Sequence, residues 1–138
     1  MCIRDRVISM KSRTHVFSGA PWESSVGYCR AVRTGPHIAI SGTAPVGDDG
    51  AVIGAGDAYR QAQRCIEIIA DALEKLDASL DHVVRTRMFV TDIGQWEAVG
   101  RAHGEAFGAI RPATSMVEVA ALIHPDMIVE IEADAFVP

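Results

Sequence analysis

The sequence predicts an α+β sandwich, a sheet with both helices on one face, and three observations carry that prediction. A long segment after residue 57 repeats its apolar residues at three- and four-residue steps. The C-terminal run VEIEADA alternates apolar and acidic residues. Strand and helix patterns follow one another as two strands, a helix, a strand, a helix and two strands.

Taken in order, Tyr28 to Arg33 and His37 to Ser41 read as short strands joined at Thr34-Gly35-Pro36, where glycine and proline supply the turn geometry. Asp48, Asp49 and Gly50 mark a second tight turn. Gly54-Ala55-Gly56 leads to Asp57, whose short carboxylate suits the cap of a helix start. From Ala58 to Leu76 the residues Ala62, Cys65, Ile66, Ile69, Leu73 and Leu76 line one side. Arg60, Gln63, Glu67, Asp71, Glu74 and Lys75 line the other, which is the pattern of an amphipathic helix.

Asp81 to Thr91, rich in Val, Phe and Thr, reads as a strand. Gln95 to Phe107 reads as a second helix with Trp96, Val99, His103 and Phe107 on one face. Gly100 and Gly104 each cost such a helix about 1 kcal/mol relative to alanine. Close packing against a neighbour would explain them, as would a segment that is not helical. Met116 to Leu122 and Met127 to Val137 are the final strands, separated by a turn at His124-Pro125-Asp126. MVEVAAL is apolar at nearly every position, the pattern of a strand covered on both faces. Two helices cover one face of a sheet, so the other is expected to pack against copies of the same chain.

A chain of 138 residues suits one domain that buries roughly two thirds of the surface exposed when unfolded. With 49% hydrophobic and 22% charged residues it has the balance of an ordinary globular protein. The domain is expected at residues 14–138. Residues 1–13 read as a leader outside the fold, lacking the apolar core and cleavage site of a secretory signal, with Met10 a candidate start. A net charge of -5 gives no broad basic field, so nucleic acid is not an expected partner. No apolar run reaches the roughly 18 to 20 residues of a membrane span.

Cys2, Cys29 and Cys65 are odd in number and show no CxxC spacing, which predicts reduced thiols and a cytoplasmic location. His15, His37, His82, His103 and His124 lack HxxxH or HxH spacing, so no metal site is expected. Gly54-Ala55-Gly56 is not a dinucleotide loop, because Tyr59 stands where the third glycine would be. No GxSxG elbow presents a nucleophile. In the last strand Glu130, Glu132 and Asp134 share one face, and three neighbouring carboxylates call for a cation or a proton. Arg85 and Arg87, two residues apart, are suited to pair with them across strands. A solvated acidic face is the plainer reading.

Three segments, GYCRAVRTGPHIAISGTAP, LEKLDASLDHVVRTRMFVTD and RPATSMVEVAALIHPDMIVEIEADA, resemble the Rid family, also called YjgF-like, of imine and enamine deaminases. The likeness runs from about Gly27 to Ala135 in unbroken order. It implies a chorismate-mutase-like fold with a mixed six-stranded sheet and a homotrimer whose sheets form a central barrel. It also implies small-molecule sites in the clefts between subunits, hydrolytic release of ammonia, and no cofactor. Tyr28 matches the tyrosine of the family's GPY motif, Ser41 and Gly42 its SG step, and Glu130 the glutamate of its IEIEA motif, taken to orient the attacking water.

One position departs from the pattern. The family's PARS stretch holds an arginine that grips a substrate carboxylate at two points; here the stretch is Pro112-Ala113-Thr114-Ser115, with Thr114 in the arginine's place. Met116 stands where a cysteine or similar residue is common. Imine hydrolysis needs an anchored substrate, a protonated nitrogen and a delivered water. A hydroxyl in place of the fork predicts a loss of roughly two decades or more toward 2-imino acids. Arg30, where glutamine is common, is a candidate for a relocated cation, the alternative being a surface arginine of the hairpin; Arg111 is a second candidate. The expected function is hydrolytic deamination of a reactive imine, enamine or related small nitrogen compound. The alternative is a non-catalytic small-molecule-binding or regulatory trimer of the same fold.

Overall fold

The computed structural model describes residues 12–138, so residues 1–11 of the expected leader 1–13, with Cys2, lie outside the described residues, while Arg13, expected in the leader, is the first residue of a strand and pairs with Thr34. Six strands, β1 (Arg13–Val16), β2 (Ala31–Thr34), β3 (His37–Thr43), β4 (Val83–Val90), β5 (Ala113–Glu118) and β6 (Val129–Phe136), form one sheet in the order β1-β2-β3-β6-β4-β5. It is mixed: β4 and β5 run parallel, and the other neighbours are antiparallel. Helix α1 (Ala58–Lys75) lies against β3 and β6, and α2 (Trp96–Phe107) packs beside α1. His103 of α2 meets Thr86 of β4. Both helices therefore cover the same face, as the α+β reading required.

Local chemistry accounts for each element. Gly35, at φ 58°, and Pro36 form the two-residue loop that pairs Thr34 with His37. The Asp57 carboxylate accepts the Arg60 amide at 3.0 Å and so starts α1. Ala62, Cys65, Ile69 and Leu73 of α1 are buried against Ile38, Val129, Ile131 and Ala133, the contiguous core of the domain. Gln61 is buried within that apolar face. Its amide nitrogen donates to the carbonyl of Asp126 at 2.7 Å, and its oxygen accepts from the Ile128 amide at 2.7 Å. A buried amide must be paired, and this pairing fixes the chain just before β6.

Several boundaries differ from those expected. The strand expected at Asp81 begins at Val83, because Ser79 and His82 form a capping box around a short 3-10 turn. Tyr28 and Cys29 precede β2, following a single π-helical turn at Glu23–Gly27. The penultimate strand occupies Ala113–Glu118 rather than Met116 to Leu122. It pairs with β4 alone, from Arg85↔Ala113 to Val90↔Glu118, and so ends where its neighbour ends. As an edge strand it is largely exposed, so the double coverage expected of MVEVAAL does not occur within one chain.

On α2, Val99 and Phe107 are buried and His103 half-buried, but Trp96 is 54% exposed. It is the first residue of the helix and lies outside the core cluster. A side chain added at Gly100 or Gly104 would meet open space, so close packing within the chain does not explain these glycines. No described helix is long and apolar enough to cross a membrane.

Candidate functional site

In β6, Val129, Ile131, Ala133 and Ala135 are fully buried toward the helices, and Glu130, Glu132 and Asp134 point to the opposite, helix-free face. Cross-strand register puts Phe89 beside Glu130, Arg87 beside Glu132 and Arg85 beside Asp134. Arg87 bridges both lower acids, reaching Glu132 at 3.2 Å and Asp134 at 3.3 Å. Arg85, expected to pair with these acids too, forms no ion pair among the described residues; the two carboxylates converge on Arg87 instead. Glu130 is left outside this cluster.

Glu130 sits beside a deliberate gap. Strand β3 loses its register between Ile40 and Thr43, and Gly42 lies within that irregularity. A Cβ placed on Gly42 would stand 2.6 Å from Glu130 Oε2. Only glycine lets the carboxylate lie there. Partial burial pushes the Glu130 carboxyl above its usual value, the positive charge of Arg30 opposes that, and Glu132 adds to it.

Arg30 is the cation on the far side of the gap. Ala31 faces the core, so alternation turns Arg30 to the Glu130 face. Its backbone continues the ladder, the amide donating to Val16 at 2.7 Å and the carbonyl accepting from Ser41 at 3.0 Å. The residue is only 9% exposed, which rules out the surface-arginine reading. Nη1 donates to the Gly42 carbonyl at 2.8 Å and lies 3.4 Å from the Thr43 hydroxyl. The guanidinium carbon stands 5.8 Å from the centre of the Tyr28 ring, a cation–π contact at long range. Ser41 donates its hydroxyl to the Cys29 carbonyl at 2.7 Å, tying the Tyr28 to Arg30 stretch to the irregular part of β3. Tyr28, Arg30, Ser41, Gly42 and Glu130 thus form one neighbourhood.

Thr114 and Met116 do not join it within one chain. The parallel register sets them opposite Thr86 and Met88, residues of the helix-facing side of β4. The Thr114 hydroxyl is 2.7 Å from that of Thr86, which is 2.8 Å from His103 Nε2. Burial holds the His103 imidazole below its usual value. Arg111 has a left-handed backbone at φ 59°, and its Nε donates to the Gly108 carbonyl at 3.0 Å, closing the end of α2. It is remote from the Glu130 neighbourhood in sequence and in these bonds.

Sequence reasoning missed Thr43, Thr86 and Gln61. Thr86 had a usable signal, a hydroxyl in the apolar series Thr86, Met88, Val90, since a polar group on a buried face must find a partner. Among the described residues no three His, Cys, Asp or Glu side chains are grouped to hold a metal ion.

A family model described as Endoribonuclease L-PSP matches residues 18–137. The crystal structure of a Mycobacterium tuberculosis member of the highly conserved YjgF/YER057c/UK114 family is 52% identical, with a TM-score of 0.83 over 91% of this chain and 100% of that one. The 3-aminoacrylate deaminase RutC of Acinetobacter baylyi is 30% identical over 110 residues, 80% of this chain and 86% of the relative. E. coli TdcF, solved with bound serine, is 25% identical with a TM-score of 0.74, over 80% of this chain and 88% of its own. The match over nearly the whole described chain, together with the shared fold, means that this chain belongs to the YjgF/YER057c/UK114 family, the Rid family.

Proposed function

We propose that the protein is a hydrolytic deaminase of a small imine or enamine, acting in a cleft completed by neighbouring copies of the chain in a homotrimer. The observation that carries this reading is the Glu130 carboxylate, half-buried over Gly42 on the helix-free face and within the field of Arg30. A carboxylate so placed can accept a proton from water and direct its lone pair at an electrophilic imine carbon. Tyr28 and Ser41 shape the pocket beside it. Relatives named as a deaminase of 3-aminoacrylate and as a serine-bound protein agree with a small ligand bearing nitrogen and a carboxylate.

Self-association is supported by what one chain leaves open. The face that carries Glu130 has no helix over it, and Val84, Val117 and Phe136 are large apolar residues left exposed on β4, β5 and β6. In a trimer, Thr114 and Met116 of one edge strand would approach the Glu130 neighbourhood of the next copy. Light scattering at micromolar concentration should give three times the chain mass, and a monodisperse monomer would refute the assembly.

The direct test is ammonia release from freshly generated 2-iminobutanoate and from enamines without a carboxylate. Glu130→Ala should abolish it; equal rates in parent and variant would remove Glu130 from the mechanism. A second reading, a non-catalytic binding or regulatory trimer, is favoured by one observation: Thr114 carries no charge and its hydroxyl is already bonded to Thr86. If the parent is inactive and Thr114→Arg acquires imino-acid deaminase activity, the second reading stands.

A further inference from the structure

His103, Thr86 and Thr114 form a line of hydrogen bonds that runs from the helix layer to the free edge of the sheet. Thr86 is fully buried, the His103 ring is half-buried beside Phe107, and Thr114 is exposed on β5, the outermost strand. The Thr86 hydroxyl lies 2.8 Å from His103 Nε2 and 2.7 Å from the Thr114 hydroxyl. It has one proton to serve both contacts, so the protons of the three groups are tied together.

Two arrangements satisfy the line. In the first, Nε2–H donates to Thr86, Thr86 donates to Thr114, and the Thr114 proton is left to point outward. In the second, Thr114 donates to Thr86 and Thr86 to a bare Nε2, so that Thr114 offers only lone pairs. If both neighbours donated, the Thr86 proton would be stranded in a buried place, which is costly. The ring decides between the two. Burial holds the imidazole below its usual value, so it is neutral at pH 7. The single proton of a neutral imidazole goes to the nitrogen whose neighbour accepts it. Among the described residues Nε2 has such a neighbour and Nδ1 has none. The first arrangement follows, with Thr86 donating to Thr114.

The donor exposed in this way carries no charge. Where the family pattern has a guanidinium, no arginine or lysine is bonded to Thr114 among the described residues. Arg111 donates Nε to the Gly108 carbonyl, and Arg85 lies on the opposite, helix-free face of β4. A carboxylate drawn out of water against one hydroxyl would be left short of partners, whereas a neutral carbonyl oxygen would be satisfied.

We infer that Thr114, with Thr86 and His103 behind it, is a neutral hydrogen-bond donor that selects a ligand with an uncharged carbonyl oxygen, such as an amide, at the β5 edge. The inference rests on the proposal that this edge completes the Glu130 cleft of a neighbouring copy. Thr114 touches the ligand, and His103 is a positioning residue that acts through Thr86. The substrate class becomes an imine or enamine beside a neutral carbonyl, in place of a 2-imino acid.

Calorimetric or NMR titration of the assembled protein with 2-oxobutanamide and its acid counterpart 2-oxobutanoate tests this. The parent should bind the amide at least about tenfold more tightly than the acid. Thr114→Val should weaken the amide roughly tenfold, Thr114→Ser should not, and Thr114→Arg should reverse the preference. His103→Phe should weaken the amide roughly threefold or more, and His103→Gln, whose amide N–H replaces Nε2–H, should restore it. Long-range proton–nitrogen NMR at pH 7 should find the His103 proton on Nε2. Equal affinities, a preference for the acid or no binding of either by the parent would overturn the inference, as would a proton on Nδ1; these arms stand even if no variant folds. Folded His103→Phe and His103→Gln proteins that bind the amide alike would overturn it too. Amide selection without ammonia release from any imine would leave the donor and remove the deaminase. Ammonia release that needs Glu130, in a parent that prefers 2-oxobutanoate, would do the reverse.

Discussion

The carboxylate of Glu130 occupies the space that a side chain on residue 42 would fill, Oε2 lying 2.6 Å from where the Cβ of an alanine would stand. The obstructed atom is the far end of a flexible side chain, so the clash is relieved by turning Glu130 away. Gly42→Ala should therefore cost less than about 1 kcal/mol of stability, since no backbone has to move. Ammonia release should fall by roughly two decades, because a displacement of about 1 Å from productive geometry is enough for that. Parallel denaturation and activity measurements check the split, and a large stability loss with full activity would contradict it.

Burial raises the Glu130 carboxyl above its ordinary 4.5, more than Arg30 lowers it. The sign of the stability effect follows by linkage. Below pH 4.5 the group is protonated in folded and unfolded chains alike and costs nothing. As pH rises from there through the raised folded value, the unfolded chain ionises first, and the folded state loses stability until both are ionised. Glu130→Gln should match the parent at low pH and be the more stable protein at pH 7. Denaturation midpoints across pH 4 to 8 that stay equal would refute this.

Thr86 is fully buried and its hydroxyl lies between those of Thr114 and the ring of His103. Thr86→Val keeps the shape and leaves the half-buried imidazole nitrogen without its partner, which costs about 1 to 3 kcal/mol. Urea denaturation at pH 7 measures it. A change under about 0.5 kcal/mol would mean that the hydroxyl does not carry the contact.

Gly104 lies on an exposed part of α2 with open space where its side chain would be. Gly104→Ala should raise stability by about 0.5 to 1 kcal/mol, through a less flexible unfolded chain and better helix propensity. If the thermal midpoint falls instead, the position is filled by a neighbouring copy in the assembly.

Periodicity made α1 and β6 legible, because each has one fully buried face and its residues repeat at 3.6 or 2. The start of β5 was not legible. An edge strand in parallel pairing is bounded by the length of its neighbour, which appears nowhere in its own residues. The same holds for Arg30, whose exposure depends on a gap in β3 twelve residues away, and for Gln61, a polar residue buried by the loop it holds. In the site, the family motifs pointed to Tyr28, Ser41, Gly42 and Glu130, and these are neighbours. Thr114 lies on the other side of the sheet, a separation that motif order along the chain does not express.

The last in chain order of the six described strands, β6, stands between β3 and β4 in the sheet. Until residue 136 has left the ribosome the halves β1-β2-β3 and β4-β5 have no seam, and the helices have no complete surface to rest on. The nascent chain must carry two unjoined half-sheets with open inner edges, each able to pair with the wrong strand. The arrival of the acidic strand joins the two halves and brings Glu130 to Gly42 in a single event, so a chain cut short before it lacks both the central strand under α1 and the Glu130 carboxylate.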